Sequence, residues 1–211
     1  MGEATERYAI VTGANKGIGL QIVKQLASAG IKVVVTARNE EKGLQALETL
    51  KASGLSHLVL FHQLDVADAA SVSSLTDFIR SKFWKLIMQL LEISEDEVRK
   101  GITETYDLAE ECLQINYYGV KMTVESLVPL LKLSDSPRVV NVSSFMGQLE
   151  SFPKGSWVRG VLSDVDHHGY TRILAKKYPS FCINCVCPGY VKTEINAFTG
   201  SLTPAEGAVV L

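Results

Sequence analysis

Thr12-Gly-Ala-Asn-Lys-Gly-Ile-Gly19 lies between a short apolar run, Tyr8 to Thr12, and a stretch carrying Ile18, Ile22, Val23 and Leu26 at helical spacing. The order is strand, glycine turn, helix. Gly13 lets the chain reverse sharply, Gly17 lets backbone amides approach a ligand, and Gly19 lets the helix pack close to the sheet. A helix opening on such a turn offers unpaired N–H groups and the positive end of its dipole, which together suit a phosphate. The stretch reads as the pyrophosphate cradle of a dinucleotide site. Its candidate cofactor-binding residues are Gly13, Asn15, Lys16, Gly17, Ile18 and Gly19.

Outward from this loop the pattern alternates. Gly30 caps the first helix at its C-terminus. Lys32 to Thr36 is β-branched and continuous, as in a parallel strand buried on both faces. Asn39 has the chemistry of an N-cap, with Glu40 and Glu41 in the favoured first turn of a helix running to about Ser53. His57 to Gln63 is a third strand, and Ala70 to Lys82 a helix opened by Asp68 or Ser71. Leu86 to Leu91 is a strand or a helix extension, which periodicity does not separate. Glu104 to Lys132 reads as a long helix closed by Ser134-Asp-Ser-Pro137, and Arg138 to Val142 as a strand. Ser151 to Gly169 has little pattern, Tyr170 to Lys177 is helical and ends before Pro179, and Phe181 to Val186 is the last strand. The alternation predicts an α/β fold: a doubly wound parallel sheet in a single domain spanning 1–211.

The chain has 211 residues, 46% hydrophobic, and a net charge of −2, enough for one sizeable core and without the basic excess of a nucleic-acid surface. No apolar run reaches the length of a membrane span, and the N-terminus lacks the pattern of a signal peptide. Met1-Gly2 lacks a myristoylation context, because Glu6 stands where Ser or Thr is needed. A cytoplasmic protein is expected. Cys182, Cys185 and Cys187 are expected on a buried strand. There Cys182 and Cys185 point to opposite faces and share no metal.

The spacing T-G-x-x-x-G-I-G differs from the G-x-G-x-x-G fingerprint and resembles the short-chain dehydrogenase/reductase family, with further motifs in order. Leu64-Asp65-Val66 is similar to its adenine-contacting segment, so Asp65 and Val66 join the cofactor set. Asn116, in Leu113-Gln-Ile-Asn-Tyr-Tyr-Gly119, matches its active-site Asn, and Ser144, ending Val139-Val-Asn-Val-Ser-Ser144, matches its catalytic Ser. Pro188-Gly189 and Thr193 match the loop that holds the nicotinamide amide. Tyr117-Tyr-Gly119, Arg138 to Ser144 and Gly160-Val-Leu-Ser-Asp164 resemble the monomeric plant reductases of the salutaridine reductase and neomenthol dehydrogenase type, and animal carbonyl reductase. The resemblance covers nearly the whole chain. It implies a monomeric oxidoreductase that reduces a ketone or aldehyde of a small hydrophobic, terpenoid- or alkaloid-like substrate, without metal, nucleic acid or membrane.

NADP(H) is the expected cofactor. NAD selectivity needs a carboxylate after the second strand to accept the ribose hydroxyls; here the sequence is Thr36-Ala37-Arg38, with no acid. Arg38 and Lys16 are both expected near the adenosine ribose, where two cations suit a 2′-phosphate.

The resemblance also exposes gaps. The family's Tyr-x-x-x-Lys pair, in which Tyr protonates the substrate oxygen and Lys lowers the Tyr pKa, is expected near Gly160 and Asp164, and neither residue is there. The stretch Trp157 to His168 reads as the start of a family insertion joined to the end of the catalytic helix. After Lys82 the family's Asn-Asn-Ala-Gly segment is absent, so the fold is incomplete. In the parent fold a fourth strand lies between the first and the fifth, and Leu86 to Leu91 is expected to be recruited as a shortened one. Tyr117 and Lys121 have the catalytic spacing but follow Asn116 directly, on the wrong helix. His167-His168 reads as a surface loop, and the sequon Asn141-Val-Ser143 falls in a strand. The alternative reading is a catalytically impaired NADP(H)-binding pseudoenzyme or truncated isoform.

Overall fold

The computed structural model of the protein describes residues 6–82, 89–92, 106–144, 154–155 and 167–209. Six strands form one parallel sheet: β1 (Tyr8–Val11), β2 (Lys32–Ala37), β3 (Val59–Gln63), β4 (Gln89–Glu92), β5 (Arg138–Val142) and β6 (Cys182–Val186), ordered β3-β2-β1-β4-β5-β6. This is the strand order of a doubly wound dinucleotide-binding sheet. The direction of winding reverses between β1 and β4, where ligands of such sheets bind at the carboxyl ends.

The helices are α1 (Gly17–Ser28), α2 (Glu40–Leu50), α3 (Ala69–Lys82), α4 (Tyr106–Leu113), α5 (Val120–Leu131), α6 (His167–Lys177) and the short α7 (Pro204–Ala208). Strand side chains alternate between two layers. Ala9, Val11, Val33 and Val35 pack with Ile22, Val23, Ala27, Leu47 and Leu50 of α1 and α2. Ile10, Val34 and Val139 face the other way, onto Leu75 and Ile79 of α3, Leu127 and Leu131 of α5, and Leu174 of α6. Burial on both faces is why β2 carries an unbroken apolar run.

Local chemistry sets most boundaries. The Asn39 side chain accepts from the Lys42 amide at 2.9 Å, as expected of the N-cap of α2. Gly30, at φ +79°, ends α1: its amide donates to Ala27 and the Ile31 amide to Leu26, the paired bonds of a Schellman cap. Asp68, rather than Ser71, opens α3 by accepting from the Ala70 amide at 3.0 Å, while the Ser71 hydroxyl accepts from the Asp65 amide. Helix α2 is shorter than its periodicity suggests, widening into a turn over Lys51–Leu55 in which Gly54 sits at φ +83°.

The expected recruited strand forms. β4 pairs with β1 at Ile10↔Leu90 and Val11↔Leu91, and with β5 from Gln89↔Arg138 to Glu92↔Asn141. Residues 86–88 of the expected run lie outside the described residues. A gap between β1 and β5 would strand two rows of buried backbone groups, so a few residues of extended chain suffice to favour pairing.

The cysteines require a correction. Among the described residues β6 is the last strand of the sheet, and Cys182, Cys185 and Cys187 are exposed rather than buried. An edge strand has a neighbour on one side only, so side chains near its ends reach solvent. The Cys185 sulfur is drawn in far enough that burial pushes its thiol up, and it meets the hydroxyls of Ser143 and Thr171.

Candidate active site

The glycine turn joins β1 to α1 at the winding switch. Gly13 (φ +58°) and Gly17 (φ +55°) both adopt the left-handed conformation that glycine allows at little cost. Gly19 has a different task from the one expected. A Cβ there would lie 2.4 Å from the Gly13 carbonyl oxygen and 3.0 Å from the Ala14 Cα, so its bare Cα admits the turn itself rather than the sheet. The turn is tied to β2 by the Ala14 amide donating to Thr36 at 2.8 Å. Ile18 is half-buried against the α1 side of the core. The buried Asn15 Oδ1 has no hydrogen-bond partner among the described residues.

Arg38 follows β2 and is exposed. It lines a cleft with Glu40, Phe61, Gln63, Asp65 and Asp68. Its carbonyl accepts from Gln63 Nε2 at 3.0 Å, and its guanidinium makes no ion pair with a described residue. Asp65 is turned into its own loop, accepting from the Ala67 amide at 3.0 Å. Val66 abuts Gly119, where a Cβ would come within 2.8 Å of Val66 Cγ2; this close approach seats the third strand's loop on the α4–α5 helix pair.

Lys16 meets an acid from a distant part of the chain. Its Nζ lies 2.6 Å from Glu194 Oε2, in the loop after β6. The same two loops meet at Gly17, whose Cβ would lie 3.5 Å from Thr193 Cγ2. Pro188 is buried, and Gly189 turns at φ +83°. Thr193 precedes a single turn, Glu194–Asn196, that is locked from inside: Asn196 Oδ1 accepts from the Thr193 amide and its Nδ2 donates to the Val191 carbonyl. The structure therefore brings Gly17, Lys16 and Thr193 together, and Arg38 and Asp65 line a common cleft. Glu194 was missed in the sequence; its only local signal was an acid directly after a cap-like Thr193.

Asn116 lies in a widened turn, Gln114–Gly119, that links α4 to α5. The single long helix read from the periodicity runs on through this turn and widens at Asn116-Tyr-Tyr-Gly119, residues of poor helix propensity. Asn116 Nδ2 donates to Cys112 Sγ at 3.1 Å, and its Oδ1 is buried with no partner among the described residues. That leaves an acceptor available for a water or substrate donor. Ser144 is exposed, two residues beyond β5, and the Ser143 amide before it donates to Val186 at 2.8 Å. Beneath them, the buried Asn141 Nδ2 donates to Thr171 Oγ1 at 2.9 Å, tying β5 to α6. Tyr170 is buried and its hydroxyl faces the Lys121 carbonyl at 3.4 Å, while its ring meets the Tyr117 ring edge-on. The expected places of the Tyr-x-x-x-Lys pair, near Gly160 and Asp164, lie outside the described residues.

The family model for short chain dehydrogenase matches residues 7–201. The chain belongs to the short-chain dehydrogenase family. Among its relatives is (+)-neomenthol dehydrogenase of Arabidopsis thaliana, 44% identical over 99% of this chain and 90% of that protein. The alignment is 269 residues long, longer than the 211-residue chain, so the relative carries residues without counterpart here. The structure of salutaridine reductase from Papaver somniferum matches with a TM-score of 0.85 at 39% identity, covering 97% of this chain and 94% of that one. A short-chain dehydrogenase from Escherichia coli complexed with NADPH matches with a TM-score of 0.79 at 26% identity, covering 95% and 86%. This short-chain dehydrogenase thus shares its fold and its oxidoreductase family with neomenthol dehydrogenase and salutaridine reductase.

Proposed function

We propose that this chain, one domain over 1–211, is an NADP(H)-dependent reductase of a ketone or aldehyde on a small hydrophobic, terpenoid- or alkaloid-like substrate, working as a monomer in the cytoplasm. The observation that carries the cofactor choice is Arg38: an exposed guanidinium without an ion pair among the described residues, at the end of β2 where an NAD enzyme needs a carboxylate. The residues present fit such a group. Two left-handed glycines, a tight turn that only a bare Gly19 Cα admits, and the orphaned Asn15 oxygen stand where a pyrophosphate and its ribose would be held.

When bound, NADPH supplies the hydride. The chain's own residues do the rest. Gly13 to Gly19 and the N-terminus of α1 would hold the pyrophosphate, Arg38 and Lys16 would read the 2′-phosphate, Asp65 and Val66 would border the adenine, and Pro188, Gly189 and Thr193 would hold the nicotinamide amide. The Ser144 hydroxyl donates to the substrate carbonyl oxygen, and Asn116 Oδ1 accepts from a water that relays the proton. The reading is supported by relatives named for their action on salutaridine and neomenthol, salutaridine reductase and neomenthol dehydrogenase.

Titration with NADPH and NADH tests it. Arg38→Ala should weaken NADPH about 10- to 150-fold, the equivalent of about 1.5–3 kcal/mol for a hydrogen bond to a charged group, and leave NADH nearly unchanged. Equal weakening of both would overturn the assignment.

A further inference from the structure

Lys16 and Glu194 are 178 residues apart in the chain, yet their side chains form a 2.6 Å ion pair across the mouth of the glycine loop. Glu194 is held there by its backbone. The turn it opens is capped by Thr193 and Asn196, and the Phe198 amide donates back to the Thr193 carbonyl at 2.9 Å. Ala197 and Phe198 adopt φ of +50° and +61°, a region L residues rarely occupy, so this loop keeps its shape against local preference. Lys16 foremost, and Lys42 more distantly, hold the Glu194 carboxyl below the usual glutamate range. Lys16 has one ammonium, and it is already matched by an acid.

We infer that Glu194 is a specificity-determining residue: it stands on Lys16 in place of the 2′-phosphate, and a 2′-phosphorylated nucleotide must displace it. The inference rests on the proposed use of NADP(H). A carboxylate and a phosphate compete for the same donor, whereas NADH carries no group that competes. Glu194 therefore lowers affinity for the phosphorylated cofactor alone and narrows the preference that Arg38 creates. It also ties the loop after β6 to the glycine loop whenever the phosphate is absent, so cofactor release and loop closure are coupled through one lysine. Both partners are partly exposed, with side-chain exposures of 35% for Lys16 and 58% for Glu194, so the effect is modest: about two- to fivefold, the range of a solvent-exposed ion pair.

The test is calorimetric titration of the intact chain with NADPH, NADH and adenosine 2′,5′-bisphosphate, in wild type, Glu194→Gln, Lys16→Ala and the double variant. Glu194→Gln should tighten NADPH and the bisphosphate about two- to fivefold, leave NADH unchanged, and have no effect once Lys16 is Ala. Glu194→Ala should repeat the result if the charge, not the amide, is responsible. No change, an equal change for NADH, or a change that persists without Lys16 would overturn the inference. Wild-type preference for NADPH with an inert Glu194→Gln would sink the inference and leave the cofactor reading standing. A wild type without preference that acquires one in Glu194→Gln, through Lys16, would uphold the inference and overturn the cofactor reading for the native chain.

Discussion

Replacing Gly19 with Ala should damage the nucleotide loop by contact alone. Gly19 is the third residue of α1 and its φ is not in the left-handed region, so Ala has no backbone conflict there and gains in helix propensity, by up to about 1 kcal/mol. Against this, its Cβ would lie 2.4 Å from the Gly13 carbonyl oxygen, 3.1 Å from the Gly13 carbonyl carbon and 3.0 Å from the Ala14 Cα. All three are backbone atoms. They cannot swing aside, because Ala14 donates to Thr36 of β2 and Gly13 is already at φ +58°. Overpacking of a rigid site costs about 1–3 kcal/mol, so the contact outweighs the propensity gain. For a chain of this size a net loss of about 1–2 kcal/mol lowers Tm by about 2–8 °C, and the displaced loop should weaken NADPH at least tenfold. Gly17 separates contact from dihedral strain. Its φ is +55° and its nearest outside atom is Thr193 Cγ2 at an ordinary 3.5 Å, so Gly17→Ala should cost about 1–2 kcal/mol of strain, and Gly17→Asn should recover part of it because Asn tolerates that region. Gly19→Asn should be no better than Gly19→Ala. Thermal unfolding with NADPH titration of the four variants decides the matter. A Gly19→Ala protein with unchanged Tm and affinity would refute the reasoning.

Asn39→Ala removes the cap of α2, and urea unfolding should show a loss of about 1 kcal/mol within a range of about 0.5–2. In acid, stability should decline below pH 4.5, the ordinary glutamate value: Glu6 is held low by Lys32, Glu194 by Lys16 and Glu206 by the Thr203 amide. A depressed carboxyl stabilises the fold above its unfolded pKa and loses that contribution as pH falls through its folded one, so Lys16→Ala should flatten the part of this decline due to Glu194. For catalysis, NADPH oxidation with menthone or a quinone should run at least about 10²–10⁴-fold slower than in a relative with the Tyr-x-x-x-Lys pair, the contribution of a matched general acid. Ser144→Ala should lower the residual rate, whereas Tyr117→Phe and Tyr170→Phe should leave it unchanged. Robust turnover that survives Ser144→Ala or depends on either tyrosine would show that the acid has been misplaced.

What the sequence determined by itself was set by short-range physics. The glycine turn, the Asn39 cap and the Gly30 Schellman closure each depend on backbone groups within a few residues, and all three stand where the chain chemistry put them. The unbroken Lys32–Thr36 run likewise announced a strand covered on both faces. The tertiary structure decided the rest. Leu86 to Leu91 was undecided between strand and helix until β1 and β5 offered open edges on either side of it. The cysteine run looked like a core strand because its composition is apolar, but exposure follows from being last in the sheet, and strand order is invisible to local periodicity. Gly19 crowds Gly13 rather than the sheet because the turn folds back on itself. Lys16 finds Glu194 because the loop after β6 is carried back over the glycine turn, with α7 packed on α1. A side chain's type tells which partners it could take; which one it meets depends on segments more than a hundred residues away arriving at the same place.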